Sequence, residues 1–288
     1  MALTLSPLRY PGGKTQLYKF VKHTIHINDI HDVTYCEPFS GGSGIAISLL
    51  LNNDVNSIIL NDFDISIYSI WYAILNETNR LIDKINETPI TIEEWYNQKN
   101  IYEYYNNIPP IYCFELAFAT LFLNRTNRAG IITGGPIGGF KQLSKYDVSC
   151  RFNKTTVINK IKNIAEHKEQ IQLFNLDASE LINNHLFHMS QSSLFIYFDP
   201  PYYKQGKNLY KNFFNHQDHV SLSDAIKSMD EFKWITTYDN AEEIKNIYND
   251  RRIYEYKLQY SANKTRKETE LLFCSKTTKI EPFENVKF

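Results

Sequence analysis

The sequence of 288 residues has few cysteines, no long apolar run and almost no net charge. Its cysteines form neither a Cys-x-x-Cys pair nor a dense cluster; they are Cys36, Cys113, Cys150 and Cys274. This scatter argues against a disulfide scaffold, predicts no metal site and is typical of the reducing cytoplasm. Because no stretch reaches the roughly 18 apolar residues that a membrane helix needs, we expect no membrane partner.

The net charge of −1 argues against a uniformly basic nucleic-acid-binding protein, but the charges are unevenly distributed. Residues 124–168 contain nine lysines and arginines against two acidic residues, Asp147 and Glu166. A segregated basic segment indicates contact with phosphates better than net charge does. On charge alone, a solvated charged surface remains the alternative.

An alternation of strands and helices, interrupted once, organises the chain and predicts a largely parallel α/β sheet. The predicted strands are residues 33–36, 57–60, 171–174, 194–198, 234–237, 253–259 and 271–274. The predicted helices are residues 45–51, 65–76, 178–186, 218–229 and 241–248. Since no helix separates the last two strands, we expect them to form an antiparallel pair at the sheet edge.

The interruption predicts an inserted domain. Residues 77–125 are mostly helical in pattern, and residues 129–140 contain five glycines and a proline, which predicts a hairpin or an extended loop. We therefore predict a discontinuous domain of residues 1–75 and 166–288, and a second domain of residues 76–165.

Two motifs follow the first two strands. Glu37-Pro38-Phe39 leads into a Ser/Gly turn ending at Gly44, and its glycines allow a tight turn and close approach of a ligand to free N–H groups. Asp62 ends the next strand, where a carboxylate can accept both hydroxyls of a ribose. A plain structural turn and a helix cap are the alternatives.

The sharpest motif is Asp199-Pro200-Pro201-Tyr202, directly after the apolar strand of residues 194–198. It stands at the carboxyl end of a parallel strand, where α/β proteins bind ligands. The prolines remove N–H donors, which leaves carbonyls and a carboxylate as acceptors beside an aromatic ring. Such a site suits a neutral planar amine, whose N–H groups need acceptors while its lone pair attacks an electrophile. The alternative is a proline turn with a capping aspartate.

These motifs, with Tyr10-Pro11-Gly12-Gly13-Lys14 near the N-terminus, resemble the D12 class of adenine-N6 DNA methyltransferases, the Dam-like family, in the same order. The stretch from Phe122 to Gly130 is similar to that family's recognition segment. The resemblance covers essentially the whole chain. It implies a class I S-adenosylmethionine-dependent methyltransferase fold: a Rossmann-like, seven-stranded sheet with an inserted, mostly helical target-recognition domain containing a hairpin, here residues 76–165.

The resemblance also implies roles for individual residues. The cofactor S-adenosyl-L-methionine would be bound by Tyr10, Lys14, Glu37, Phe39, Gly41, Asp62, Asp177 and Asp199. Tyr10 replaces the tryptophan of some relatives and is still aromatic. The catalytic residues would be Asp199, Pro200, Pro201 and Tyr202, with Asp199 and Pro200 accepting the amino hydrogens and Tyr202 stacking on the base. A change of Tyr202 to Phe should then be mild, because the ring remains.

The expected partner is double-stranded DNA, from which the target adenine must be flipped into the pocket. The predicted DNA-binding residues are Asn124, Arg125, Asn127, Arg128, Lys141, Lys145, Arg151 and Lys154. We expect a monomer acting on DNA in the cytoplasm, and the sequence leaves open a cognate restriction endonuclease. The alternatives are methylation of cytosine N4, RNA adenine or a glutamine side chain, a DNA-binding protein without catalysis, and a nucleotide-dependent dehydrogenase.

Overall fold

The computed structural model describes residues 4–9, 14–204, 214–260 and 266–288. The chain divides into two compact units. The first, called the sheet unit, comprises mainly Lys14–Phe63 and Gln170–Phe288, and the second, called the helical unit, comprises mainly Asp64–Glu169. The domain boundaries predicted from the sequence follow residues 75 and 165. They place most of the helix of residues 65–76 in the domain that contains the sheet, whereas the structure places it in the helical unit.

The sheet unit contains a seven-stranded mixed sheet with the order β3-β2-β1-β4-β5-β7-β6. Its strands are β1 (Thr34–Glu37), β2 (Ser57–Asn61), β3 (Ile171–Phe174), β4 (Leu194–Phe198), β5 (Lys233–Asp239), β6 (Tyr254–Tyr260) and β7 (Arg266–Cys274). Neighbouring strands from β3 to β5 are parallel, whereas β7 runs antiparallel to both β5 and β6. The predicted α/β sheet and its antiparallel edge pair are confirmed.

The α-helices that the structure describes are α1 (Tyr18–Ile27), α2 (Gly44–Leu51), α3 (Ile65–Asn76), α4 (Thr78–Glu87), α5 (Ile92–Asn106), α6 (Phe114–Thr126), α7 (Lys154–Ala165), α8 (Ala178–Asn184), α9 (His216–Ser228) and α10 (Glu242–Ile247). One buried cluster joins strands to α8, α9 and α10 through apolar side chains such as Phe198, Trp234 and Leu222. A capping box of Asn215 and Asp218 fixes where α9 begins. This packing holds the strand ends of the sheet unit in place.

In the helical unit, α3, α5 and α6 pack together. Helix α6 is apolar around most of its circumference, as expected for a helix that is buried on most sides. Residues 129–140, predicted to form a hairpin or an extended loop, form a loop without paired strands. The segment forms one isolated antiparallel bridge between Asn127 and Pro136. Positive φ angles at Ala129, Gly130 and Gly138 interrupt the extended backbone that a longer ladder needs.

Across the described ranges, every helix is too short or too polar to cross a lipid bilayer.

Candidate active site

The sequence motifs of the sheet unit converge at one edge of the sheet. The glycine turn follows β1, Asp62 follows β2, and Asp199 follows β4. These strands are neighbours and parallel in the order β2-β1-β4, so their carboxyl ends lie side by side. The structure thereby places three of the predicted motifs along the edge where α/β proteins bind their ligands.

The glycine turn is held by Asp62. The carboxylate of Asp62 accepts the backbone N–H of Gly41 at 2.8 Å, and the N–H of Ser40 donates to the carbonyl of Asn61 at 2.9 Å. Gly41 has a φ of 45°, a conformation that favours glycine. Asp62 therefore shapes the turn in addition to any contact with a ligand.

Asn61 connects three loops. The sequence analysis gave no role to this residue, which directly precedes Asp62. Its side chain is buried; it donates to the carbonyls of Pro38 and Leu176 at 2.9 and 3.0 Å and accepts the N–H of Leu176 at 3.0 Å. The loops after β1, β2 and β3 are thus joined by one amide. A polar residue ending an apolar strand was the only signal for this role.

Glu37 is buried where β1 ends. Its carboxyl accepts the Tyr35 hydroxyl at 3.0 Å and the Ala46 N–H at 3.1 Å. Burial raises the pKa of Glu37 to about 8, although both hydrogen bonds oppose the rise. At neutral pH this side chain is therefore mainly protonated, unless a bound cation draws the proton off.

The remaining predicted cofactor residues are placed as follows. Phe39 is half-buried and meets the ring of Phe214 edge-on, with centroids 6.3 Å apart. Asp177 caps α8 by accepting the N–H of Ser179 at 2.8 Å. Tyr10 lies outside the described residues.

Asp199 is oriented by strand β5. The hydroxyl of Thr237 donates to Oδ1 of Asp199 at 2.9 Å, and the same hydroxyl is 2.8 Å from that of Tyr197. The Asp199 side chain is 24% exposed, so a ligand can reach it. Burial raises the pKa of Asp199 to about 6, and the positive charge of Lys14 limits the rise. At neutral pH Asp199 is thus mainly an ionised hydrogen-bond acceptor.

The backbone after the motif is fixed by a second residue of β5. Asp239 accepts the N–H groups of Tyr203 and Lys204, both at 2.9 Å. Strand β5 therefore anchors the Asp199 side chain through Thr237 and the following turn through Asp239. Neither residue was predicted, although both stand at the carboxyl end of a strand.

The fourth residue of the motif, Tyr202, enters a buried polar cluster with Lys14 and Glu270. The ammonium of Lys14 contacts the Tyr202 hydroxyl, lies 2.5 Å from Oε2 of Glu270 and lies 3.8 Å from Oδ1 of Asp199. Glu270 also accepts the hydroxyls of Tyr202 and Tyr256, at 2.7 and 2.6 Å. The structure thus brings Lys14 to the Asp-Pro-Pro-Tyr motif, whereas the resemblance associated it with the cofactor.

Glu270 is the member of this cluster that the sequence analysis did not identify. It lies on β7, opposite Tyr256 of β6 and Asp239 of β5 in the strand register, and it is 1% exposed. A carboxylate directly before the apolar run Leu271-Leu272-Phe273 is an unusual core residue, and that contrast was the available signal.

In the helical unit, Asn124 and Asn127 were predicted to contact DNA, but the structure gives them a structural role. Both are fully buried. Asn124 bonds the backbone of Arg9 and Gly130, and Asn127 bonds the indole of Trp95 and two backbone carbonyls. With their polar atoms used inside the protein, they hold the segment in shape.

Other predicted DNA-binding residues are more accessible. The exposed ones are Arg128, Lys141, Lys145 and Arg151. Lys154 is half-buried and donates to the carbonyl of Asn86 at 2.8 Å, and Arg125 donates to the carbonyls of Pro7 and Arg151. The predicted DNA-binding lysines and arginines therefore fall into two groups: those exposed at the surface, and those that donate hydrogen bonds to backbone carbonyls of the protein.

A loop of residues 137–148 presents apolar side chains among these cations. Gln142 organises it by donating to the carbonyls of Ile137 and Gly139, at 2.8 and 2.6 Å, and by accepting the N–H of Val148 at 2.8 Å. The loop exposes three large side chains, which sequence reasoning did not single out: Phe140, Leu143 and Tyr146.

Taken together, the sheet unit offers an ionised acceptor beside an aromatic ring and a glycine turn. Two cysteines, Cys36 and Cys274, are buried, and burial raises the pKa of each thiol above its usual range. The arrangement therefore supports chemistry by hydrogen bonding and orientation, without a covalent thiol intermediate.

The chain is similar to several known proteins. A type II methyltransferase of Methanocaldococcus jannaschii, M.MjaIII, is 22% identical over 238 residues, which cover 77% of this chain and 79% of that protein. A solved structure of the rRNA methyltransferase AviRa from Streptomyces viridochromogenes aligns with 93% of this chain and 87% of its own, at 10% identity and a TM-score of 0.39. Residues 10–262 match the profile of the D12 class of N6 adenine-specific DNA methyltransferases. Because that match spans most of the chain and confirms the resemblance seen in the motifs, the protein belongs to this family of DNA adenine methyltransferases.

Proposed function

We propose that this enzyme transfers a methyl group from S-adenosylmethionine to N6 of an adenine that is flipped out of double-stranded DNA at a specific sequence. Family membership supplies the reaction class. The observation that carries the finer proposal is the Asp199 carboxylate: it is reachable from solvent, held by Thr237 and beside Tyr202 of the same motif.

The residues after β1 and β2 fit the expected cofactor. The turn around Gly41 offers close backbone approach at the beginning of α2, and Asp62 stands at the end of β2, where a ribose can be bound. The buried Glu37 can compensate the ammonium of a methionine group. When bound, S-adenosylmethionine supplies the electrophilic methyl group, and the protein residues orient the acceptor.

In the proposed reaction, the amino group of the flipped adenine donates one hydrogen to Asp199 and one to the carbonyl of Pro200. These bonds raise the electron density on N6 and aim its lone pair at the methyl group, and the proton that N6 loses on methylation would pass through Asp199 to solvent. The ring of Tyr202 would stack on the base, a contact worth about 1–3 kcal/mol. Catalysis then arises mainly from orientation and electrostatics.

The helical unit supplies the proposed DNA surface. Burial lowers the pKa of Arg125 to about 10, and among the described residues the positive charges of Arg9 and Arg151 add to this effect. The pKa of Lys160 is also lowered, mainly by burial and in addition by the positive charge of Arg125. A concentration of positive charge of this kind is stabilised by an anion, and a phosphate backbone provides one.

The loop of residues 137–148 supports the same assignment. It combines the exposed lysines Lys141 and Lys145 with the exposed apolar side chains of Phe140 and Leu143. Cations favour phosphates, and apolar side chains favour base faces or unstacked base steps. We therefore place the target-recognition surface on this loop, together with Arg128.

The test is to express the chain in a bacterial host that lacks DNA methylation and to analyse its DNA by nucleoside chromatography and modification-sensitive sequencing. The expected result is N6-methyladenine confined to one short sequence. N4-methylcytosine, or a modification found only in RNA or protein, would overturn the proposal. If the modified sequence also blocks a restriction endonuclease encoded beside the gene, the enzyme serves a restriction–modification pair.

A further inference from the structure

The buried cluster of Lys14, Tyr202 and Glu270 contains a carboxylate, that of Glu270, in addition to the nearby carboxylate of Asp199. Lys14 has two carboxylates near its ammonium, and Glu270 is the nearer one: 2.5 Å against 3.8 Å for Asp199. The Lys14 and Glu270 side chains are 5% and 2% exposed, so water screens their interaction poorly. The closer carboxylate therefore holds the ammonium.

The position of Lys14 matters because Asp199 has a competing task. A carboxylate in direct contact with an ammonium offers its lone pairs to that cation and loses basicity, so it becomes a poorer acceptor for the weakly polar N–H groups of an adenine. In this structure the Lys14 ammonium lies 3.8 Å from Oδ1 of Asp199, beyond hydrogen-bond distance, and Oδ1 accepts the Thr237 hydroxyl at 2.9 Å.

Glu270 is itself fixed by its strand register. Tyr256 lies opposite it on β6, and the Tyr256 hydroxyl donates to Oε2 at 2.6 Å. The hydroxyl of Tyr202 donates to Oε1 at 2.7 Å. Cross-strand neighbours of this kind point to the same face of a sheet, so β6 and β7 form a rigid support for the ring of Tyr202.

We propose that Glu270 is a positioning residue of the methyl-transfer site: it holds the Lys14 ammonium away from Asp199 and locks the Tyr202 ring. The assignment rests on the proposed function and names a residue of the same site. Glu270 has no part in contact with the base. It acts through Lys14, which it keeps from neutralising the acceptor, and through the Tyr202 hydroxyl, which fixes the stacking surface.

Several groups face Asp199 and bear on its titration. The titratable side chains among them are Lys14, Glu270 and the mainly protonated Glu37. The neutral hydroxyls of Tyr197, Tyr202, Tyr238 and Tyr256 surround it, and burial raises the pKa of each well above its usual range. Glu270 raises the pKa of Asp199 and Lys14 lowers it. Removing the negative charge at position 270 should therefore lower the pKa of Asp199.

The test compares Glu270→Gln with the wild-type enzyme in single-turnover methylation of pre-bound DNA across pH 5–9. We expect the rate to fall about 10²-fold, as for a mispositioned reacting group. We also expect the acid limb of the pH profile, set near pH 6 by Asp199, to move to lower pH. A lower pKa together with a slower reaction is the signature of Lys14 pairing with Asp199.

Two further variants separate charge from geometry. Glu270→Asp keeps the charge but shortens the reach, so its rate should fall while its acid limb stays close to that of the wild type. Tyr256→Phe keeps the carboxylate and removes one donor, and it should slow the reaction only a few-fold. Glu270→Asp also carries the test if Glu270→Gln fails to fold, because a wild-type rate in this variant would contradict the positioning role.

A double-mutant cycle asks whether Glu270 acts through Lys14. In a Lys14→Met background, Glu270→Gln should cause little further loss of rate, because the cation is gone and the glutamine oxygen can still accept the Tyr202 hydroxyl. Additive losses, or a Glu270→Gln enzyme with wild-type rate and an unmoved acid limb, would overturn the proposal. Failure of the proposed function is distinguishable, since the wild-type enzyme would then give no N6-methyladenine at all.

Discussion

At the scale of single residues, Tyr202 does more than present a ring. Its hydroxyl contacts Lys14 and donates to Glu270, so the mild effect expected from sequence for Tyr202→Phe is revised. We now predict a loss of about tenfold in single-turnover rate and a lower melting temperature, because a buried carboxylate loses a donor worth about 1–3 kcal/mol. Tyr203→Phe is the matched control, since the partner of its hydroxyl among the described residues is His216, at an exposed position. Equal rates for both variants would contradict the revision.

Two substitutions can separate the contact of Asp62 with the glycine turn from its proposed contact with a ribose. Asp62→Asn keeps an oxygen that can accept the Gly41 N–H, whereas Asp62→Ala removes it. If the carboxylate binds a ribose, both variants should weaken binding of S-adenosylmethionine by about tenfold, the loss of a charged hydrogen bond. Isothermal titration calorimetry measures this. Weakening in the alanine variant alone would assign Asp62 to the turn and not to the cofactor.

Glu37 should make the stability of the protein depend on pH. Its folded pKa is raised to about 8 by burial, above the ordinary value of 4.5, so the folded state holds the proton more tightly than the unfolded state. Stability should therefore fall as the pH rises between these values, by up to about 1.4 kcal/mol per pH unit. Glu37→Gln should flatten this dependence in thermal melts between pH 5 and 8. An unchanged slope would show that Glu37 is ionised in the folded protein.

At the scale of elements, the loop of residues 137–148 is the proposed contact with DNA phosphates. Changing Lys141 or Lys145 to Ala should weaken binding to all sequences and flatten the dependence of log affinity on log salt by about 0.9 for each phosphate that the variant no longer neutralises. Fluorescence anisotropy at several salt concentrations measures the slope. Lys276→Ala, an exposed lysine of the sheet unit, is the control. A weakening confined to one DNA sequence would make these lysines base-reading residues.

The elements also show what local patterns can and cannot predict. Strands β3 and β4 were predicted at their observed bounds because each is a short apolar run between turn signals. Strand β7 begins at Arg266, five residues before the predicted start, because its polar first half is stabilised by pairing with β6. Of the two forms predicted for residues 129–140, the structure shows the loop, because residues at positive φ interrupt the extended backbone that a hairpin needs.

Residues of the site divide in the same way. Asp62 and Asp199 were predictable because each follows an apolar strand within a short contiguous motif. Glu270 and Asp239 were not, because their place beside the motif depends on β7 lying between β5 and β6. That order is a property of the assembled sheet, and no local spacing in the sequence encodes it. Asn124 and Asn127 were misassigned because burial, too, depends on the assembled fold.

At the scale of the whole molecule, we assign methyl transfer to the sheet unit and recognition of DNA to the helical unit. The two activities should therefore be separable by substitution. A change at Asp199 should abolish methyl transfer and leave DNA affinity intact, whereas changes in the loop of residues 137–148 should weaken DNA binding and leave the single-turnover rate on saturating DNA close to that of the wild type.

The most direct measurement is the single-turnover methylation rate of Asp199→Ala on pre-bound DNA, made beside a thermal melt. Loss of one well-placed electrostatic group typically costs about 10²–10³ in rate, and lost positioning adds to it. We predict a folded protein that binds DNA and S-adenosylmethionine and transfers methyl groups at least that much more slowly. A folded Asp199→Ala enzyme with a rate near that of the wild type would contradict the mechanism.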